Sequence, residues 1–325
     1  MELQSIVSPI FWVGFILFVL AMLAIDLYAL GGKSAHKVSA REALGWTAAW
    51  VTLALTFNTL LWWWLDGSVG REIANEKALE FLTGYLIELS LSVDNIFVFI
   101  MIFTFFAVPP EYQRRVLIYG VIGAIILRAT MVLAGAVLVT QFHWILYMFG
   151  AFLVLTGFKM LIFADKEADL ESNPVLHWMR GHLRITREYH GEQFAIMKDG
   201  VRWFTPLFLV LVLIETSDVI FAVDSIPAIF AITTDPFIVF TSNIFAIMGL
   251  RALYFLLADM ADRFHLLKYG LALVLVFVGT KMLIVDFYKV PIGLALGIVG
   301  IILLTSVLAS LAATRPGKQS LPAGE

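Results

Sequence analysis

Apolar positions in this chain run in blocks too long for strands or for one buried face of a soluble helix, and polar residues collect in the gaps between them. A bilayer-spanning helix needs about 20 consecutive, mostly apolar residues. Nine blocks meet that need, at roughly 8–30, 45–65, 80–106, 115–139, 144–164, 205–231, 236–258, 267–288 and 291–312. The pattern predicts an all-α polytopic membrane protein of about nine transmembrane helices. It divides into two leading helices (1–79), a three-helix unit (80–164), a polar loop (165–204), a second three-helix unit (205–290) and a last helix with its tail (291–325).

The gaps differ in charge. One alternating set holds Lys33, Lys37 and Arg41; Arg114 and Arg115; Lys166, Arg180, Arg184, Arg187, Lys198 and Arg202; Arg263 and Lys268; Arg315 and Lys318. The opposite set holds only Arg71, Lys77 and Lys289. Basic loops stay in the cytoplasm, so the amino terminus is expected outside and the carboxyl terminus inside. Within loop 165–204, residues 175–187 alternate apolar and basic positions, which suits a helix lying on anionic lipid. The run from Phe194 to Phe204 reads as a hairpin turned at Asp199-Gly200.

Ionisable residues inside the apolar blocks cost several kcal/mol each by most scales, so they mark function by default. A motif recurs: Glu88-Leu-Ser-Leu-Ser-Val-Asp94-Asn95-Ile, then Asp218-Val-Ile-Phe-Ala-Val-Asp224-Ser225-Ile. Arg128 and then Lys159 follow the first copy; Arg251 and then Lys281 follow the second. Two three-span units with no span between them must enter the membrane from opposite sides, which predicts inverted repeats with a ligand site where they meet. Glu215 adds a carboxylate on the face of Asp218. Six residues turn a helix by about 600°, so Glu88 and Asp94 do not share a face, nor do Asp218 and Asp224. Either the helices break or the site has two layers. Pro227 supplies a reason for a break beside Asp224.

Glu88, Asp94, Asn95, Glu215, Asp218, Asp224 and Ser225, with Asn243 as a further amide, form an inventory of oxygen donors. All six His lie in loops or at span ends, and the chain has no Cys. Oxygen-only sets suit hard divalent cations such as Mn²⁺, Mg²⁺ or Ca²⁺ and leave the choice among them open. Arg128 and Arg251 are readable as structural ion-pair partners, or as stand-ins for the cation when the site is empty. Lys159 and Lys281 either balance charge or snorkel toward headgroups.

Composition agrees with the pattern: 61% of residues are apolar and 14% charged. Net charge is −3, which gives no footing for a nucleic-acid partner. Without cysteine, thiol nucleophiles and disulfides are excluded. No phosphate-binding Gly loop precedes a helix, and no His-Glu-x-x-His occurs, so neither an ATP-driven pump nor a metalloprotease is expected. No enzyme activity and no catalytic cofactor are expected. The expected partners are a metal cation as substrate and the bilayer itself; oligomeric state is not readable.

At Gly84 to Asn95, Glu215 to Phe230 and Thr234 to Phe255, the chain resembles the TerC/Alx family of integral membrane proteins, most closely its Alx-type branch, over roughly residues 8–312. The resemblance implies a bacterial inner-membrane protein that exports Mn²⁺, handled by Glu88, Asp94, Glu215, Asp218 and Asp224. Exchange of H⁺ for metal at such carboxylates would give antiport. Other members imply two alternatives without direct transport, tellurite resistance and assistance to membrane-protein insertion.

Overall fold

The computed structural model describes residues 5–30, 40–142, 144–163, 170–258 and 266–313. Lys33, His36, Lys37, His143, Lys166, Arg263, His265, Arg315 and Lys318, which enter the charge and ligand readings, lie outside the described residues. The described chain forms α1 (Pro9–Leu30), α2 (Ala40–Ser68), α3 (Arg71–Phe105), α4 (Pro110–Gln141), α5 (Ile145–Phe163) and α6 (Pro174–His182). The hairpin β1 (Ala195–Lys198) and β2 (Val201–Phe204) follows, then α7 (Pro206–Phe230), α8 (Pro236–Ala258), α9 (Leu267–Leu283) and α10 (Ile292–Ala313).

The architecture is that of an all-α polytopic membrane protein. Seven helices (α2, α3, α4, α5, α7, α8 and α10) are long and apolar enough to cross a bilayer. α1 contributes a shorter apolar stretch, Pro9–Ile25. α9 has 17 residues, about 26 Å at a rise of 1.5 Å per residue. Three helices begin five or more residues before the hydropathy blocks do: α2 at Ala40, α3 at Arg71 and α4 at Pro110. Gly70, at φ 100°, takes the left-handed conformation that closes α2 and starts α3. Its N–H and that of Val69 both return to the Leu65 carbonyl. Arg71 then grips Asp66 through Nε (2.6 Å) and Nη2 (2.9 Å) and stacks over Trp62.

The core lies on α8, whose apolar window is wholly buried, against α2, α3 and α4. Its hydroxyls return to their own backbone: Thr241 Oγ1 to Phe237 O (2.7 Å) and Ser242 Oγ to Ile238 O (2.8 Å). α10, by contrast, presents Ile301 and Leu304 outward, as a lipid-facing helix does.

α5 and α9 pack closely through glycine. A Cβ on Gly157 would lie 2.8 Å from Ala272 O, and one on Gly150 3.0 Å from Gly279 O. Moving up α5 therefore means moving down α9: the two run antiparallel. A Cβ on Gly279 would in turn lie 2.7 Å from Gly150 O. Aligning Gly157-Phe-Lys159-Met-Leu-Ile with Gly279-Thr-Lys281-Met-Leu-Ile also matches Gly150 with Ala272, so the two close contacts are images of each other under exchange of the helices.

Between α5 and α7, Asn173 caps α6 by accepting from Val175 N (2.9 Å) and Leu176 N (3.2 Å). Asp199 (φ 53°) and Gly200 (φ 74°) turn the hairpin. Tyr189 Oη donates to Phe106 O at 2.7 Å and ties this segment to the end of α3. Burial pushes its phenol up to about 12, so it keeps its proton at neutral pH.

Candidate cation site

α3 and α7 cross the protein side by side in opposite directions, and their register decides which polar residues meet. Thr233, just beyond α7, donates to Glu80 of α3. Four residues along α3 and four back along the chain, Ile229 packs over Gly84 so closely that a Cβ there would lie 3.0 Å from Ile229 Cδ1. Four further, Glu88 stands level with Ser225, bridged by Arg128 from α4. The same register, carried on by seven residues, sets Asn95 opposite Asp218.

Arg128 is the hub. Its Nη1 donates to Glu88 Oε1, to Ser225 Oγ (2.8 Å) and to Asn243 Oδ1 of α8 (3.3 Å). Four helices thus converge on one guanidinium. Glu88, Arg128, Ser225 and Asn243 are all buried, with Glu88 and Arg128 only 1% and 2% exposed. Asp218 is buried too and feels the charges of Arg128, Glu215 and Glu88. The Glu215 carboxylate sits against the bare backbone of Gly123 on α4, in space a Cβ would occupy.

The α3–α7 seam holds more oxygen than it satisfies. Glu88 Oε2, Asn95 Oδ1 and Asp218 Oδ2 are buried without a hydrogen-bond partner, as is Asn243 Nδ2. Each such atom costs about 1–3 kcal/mol when left unpaired. Ser90 and Ser217 donate their hydroxyl protons to Leu86 O (2.6 Å) and Leu213 O (2.9 Å).

The remaining candidates lie elsewhere. Asp94 is part-buried, with Lys268 as its charged neighbour. Asp224 is part-buried, with Lys159 as its own. Lys159 is exposed on α5, whereas Lys281 is half-buried and donates to Ala231 O at 3.3 Å. Arg251 lines a cavity with Glu42, Trp46, Trp50, Arg114 and Phe255, away from the Arg128 hub. Pro227 does not break its helix: α7 runs through it to Phe230. The ring removes only the one N–H that would bond Val223 O, and the last turn still closes, with Ala231 N donating to Pro227 O at 3.0 Å. α3 is likewise continuous past Glu88 and Asp94. With both helices whole, the carboxylates fall in layers rather than at one point. Among the described residues, no three Asp, Glu or His side chains converge closely enough to hold a metal ion by themselves.

Glu80, Thr233 and Asp235 form a second buried polar group that the motif comparison passed over. The available signal was Glu80's position, eight residues before Glu88 and so near the same helix face. Gly123 was missed as well, since nothing in the sequence ties it to Glu215.

A lipid-facing shell around a buried, hydrogen-bonded guanidinium–carboxylate layer defines a polytopic membrane protein with an intramembrane ionic site. The chain belongs to the integral membrane protein TerC family, whose pattern it matches over residues 73–318. It is 56% identical over 307 residues to a Salmonella typhi protein named "Putative membrane-bound redox modulator Alx", covering 94% of this chain and 95% of that one. The protein of the same name from Escherichia coli K12 is 54% identical over 318 residues, 98% of this chain and 99% of the relative. A membrane protein of Myxococcus xanthus is 49% identical over 311 residues, 96% and 95% of the two chains. No solved structure matches the chain.

Proposed function

We propose that this chain is a secondary transporter that exports Mn²⁺ across the bacterial inner membrane, with its amino terminus outside and its carboxyl terminus in the cytoplasm. Nine helices, α6 excluded, cross the bilayer, and α3–α5 and α7–α9 act as inverted repeats. The exchange-symmetric, antiparallel glycine contacts of α5 and α9 support that relation.

The observation that carries the reading is the set of buried oxygens without donors, Glu88 Oε2, Asn95 Oδ1 and Asp218 Oδ2. Asn95 and Asp218 lie two turns along the seam from Glu88, so hard divalent cations would satisfy these oxygens at two successive levels of the route rather than at one point. Arg128 holds the negative layer together in the cation's place and is displaced when the cation arrives. Asp94, Asp224 and Glu215 join the route in another conformation, because rocking of one unit against the other changes which carboxylates meet. Protons released or taken up by the same carboxylates supply the counter-flow. Among hard ions, Mn²⁺ is selected by family resemblance alone. The redox role in the relatives' name fits this reading: the chain has no cysteine, so a redox effect would pass through cellular Mn²⁺ rather than a thiol of its own.

The test is cation flux in liposomes holding only the purified chain, with Mn²⁺, Ca²⁺ and Mg²⁺ compared under an imposed pH gradient. Mn²⁺ flux that falls with Glu88→Gln or Asp218→Asn is the expected result. Flux unchanged by Asp94→Asn or Asp224→Asn would remove those two residues from the route. Absence of flux, with client proteins co-purifying, would favour the membrane-assembly role instead.

A further inference from the structure

The α3–α7 seam continues beyond the Glu88 layer, and what it meets there is a closed plug. One turn from Glu88, Ile229 and Ser242 fill the space over Gly84, each 3.0 Å from where a Cβ would stand. Gly84 lets the isoleucine seal against bare backbone. A further turn on, Glu80 is buried, and its Oε2 accepts from Thr233 Oγ1 (2.6 Å) and Lys77 Nζ (2.8 Å). Thr233 Oγ1 also accepts from Asp235 N (3.2 Å), and Asp235 Oδ2 accepts from Ile6 N (2.9 Å). Lys281 closes the fourth side, donating to Ala231 O with its charge near Glu80. Four parts of the chain, the amino-terminal segment, α3, the α7–α8 turn and α9, are therefore fastened across one end of the seam. Eight residues of helix, about 12 Å, separate Glu80 from Glu88.

We infer that this end of the seam is the gate of the transport route. Ile229 on Gly84 is the seal, and the Glu80–Thr233 hydrogen bond is the latch that holds it shut. The inference rests on the transport reading for its purpose but not for its test. When the latch opens, Ile229 withdraws and the Glu88 layer connects to the face bearing Lys77, which the charge bias puts outside. Thr233 and Ile229 are positioning residues: neither needs to touch the cation.

The chain contains no cysteine, so a single introduced thiol reports without background. Ser225→Cys places that thiol in the Glu88 layer, and its reaction with a membrane-impermeant cationic methanethiosulfonate is followed from each face of oriented vesicles. The expected result is slow labelling in the otherwise natural chain. Added Thr233→Val, which keeps the side chain's size and removes its hydroxyl, raises labelling from the Lys77 face at least about tenfold, the effect of losing the hydrogen bond to Glu80 together with the weaker one from Asp235 N. Ile229→Ala does the same, and neither changes labelling from the opposite face. Unchanged labelling from the Lys77 face, or a rise from the other face, overturns the gate. If Ser225→Cys does not accumulate as folded protein, Ser92→Cys, buried one turn along α3, is read by the same criteria. Mn²⁺ flux, read in separate vesicles that hold the natural chain with Ser225 intact, separates the two ideas. Faster labelling of the thiol variants with no flux through the natural chain defeats the transport reading and leaves the gate standing; flux with unaltered labelling does the reverse.

Discussion

Arg128 and Arg251 hold matching places in the two three-helix units, yet their surroundings differ. Arg128 comes from α4, a helix only partly enclosed, and reaches inward to Glu88, Ser225 and Asn243. Arg251 comes from α8, enclosed on all sides, and lines a separate cavity beside Glu42 and Arg114. The carboxylates divide the other way. Asp218, with Glu215 beside it, belongs to the second unit, and its charge is felt in the layer that the first unit's arginine organises. One unit supplies the resident cation and the other supplies the surplus acid. Sequence symmetry therefore sets where ionisable groups occur along the helices, while packing decides which of them meet.

The largest test of this division is to remove the hub. Arg128→Ala leaves Glu88 charged, buried and unpaired, and should cost about 3–5 kcal/mol in thermal unfolding of the detergent-solubilised protein. Arg251→Ala should cost the same in the natural chain and in Glu88→Gln. Replacing both members of the pair, Arg128→Met with Glu88→Gln, should recover much of the loss. Coupling of Arg251 to Glu88 as strong as that of Arg128 would erase the asymmetry.

The α5–α9 contact tests the symmetric side of the comparison. Gly157→Leu and Gly279→Leu each force a side chain toward a neighbouring carbonyl and should each destabilise by about 1–3 kcal/mol. Gly293→Leu on α10, where no atom lies within 4 Å of a new Cβ, should be close to neutral. A large effect at only one of Gly157 and Gly279 would show that their contacts are not images of each other.

The lysines give the smallest effect. Lys281→Ala loses the hydrogen bond to Ala231 O and should cost about 1 kcal/mol in the same assay. Lys159→Ala, on an exposed position, should fall within about 0.5 kcal/mol of the natural chain. The reverse order would place Lys159 in the more buried role.

These contrasts explain how much the sequence could disclose. Membrane architecture was legible because block length and apolar composition depend on nothing but the chain and the bilayer. The ionisable positions of the layer were legible for the same reason: each is costly where it sits. Which arginine meets which carboxylate was not, because the answer depends on the register of α3 against α7 and on α8 lying at the centre. A single turn of slippage would replace Ser225 by Phe221 opposite Glu88. Continuity through Pro227 was hidden similarly: a proline removes one bond to the turn before it, and whether the helix holds there depends on the packing around that turn. Glu80 escaped notice because its importance comes from Thr233, a residue 153 positions away.

The central claim is that the α3–α7 seam from Glu88 to Asp218 carries the transported cation, and Asp218→Asn addresses it with the least disturbance. The variant keeps the side chain's shape and leaves the Arg128–Glu88 pair in place. In liposomes containing only the purified chain, natural protein should move Mn²⁺ down an imposed gradient, and Asp218→Asn, equally folded, should not. Mn²⁺ flux through Asp218→Asn at the natural rate would contradict the account.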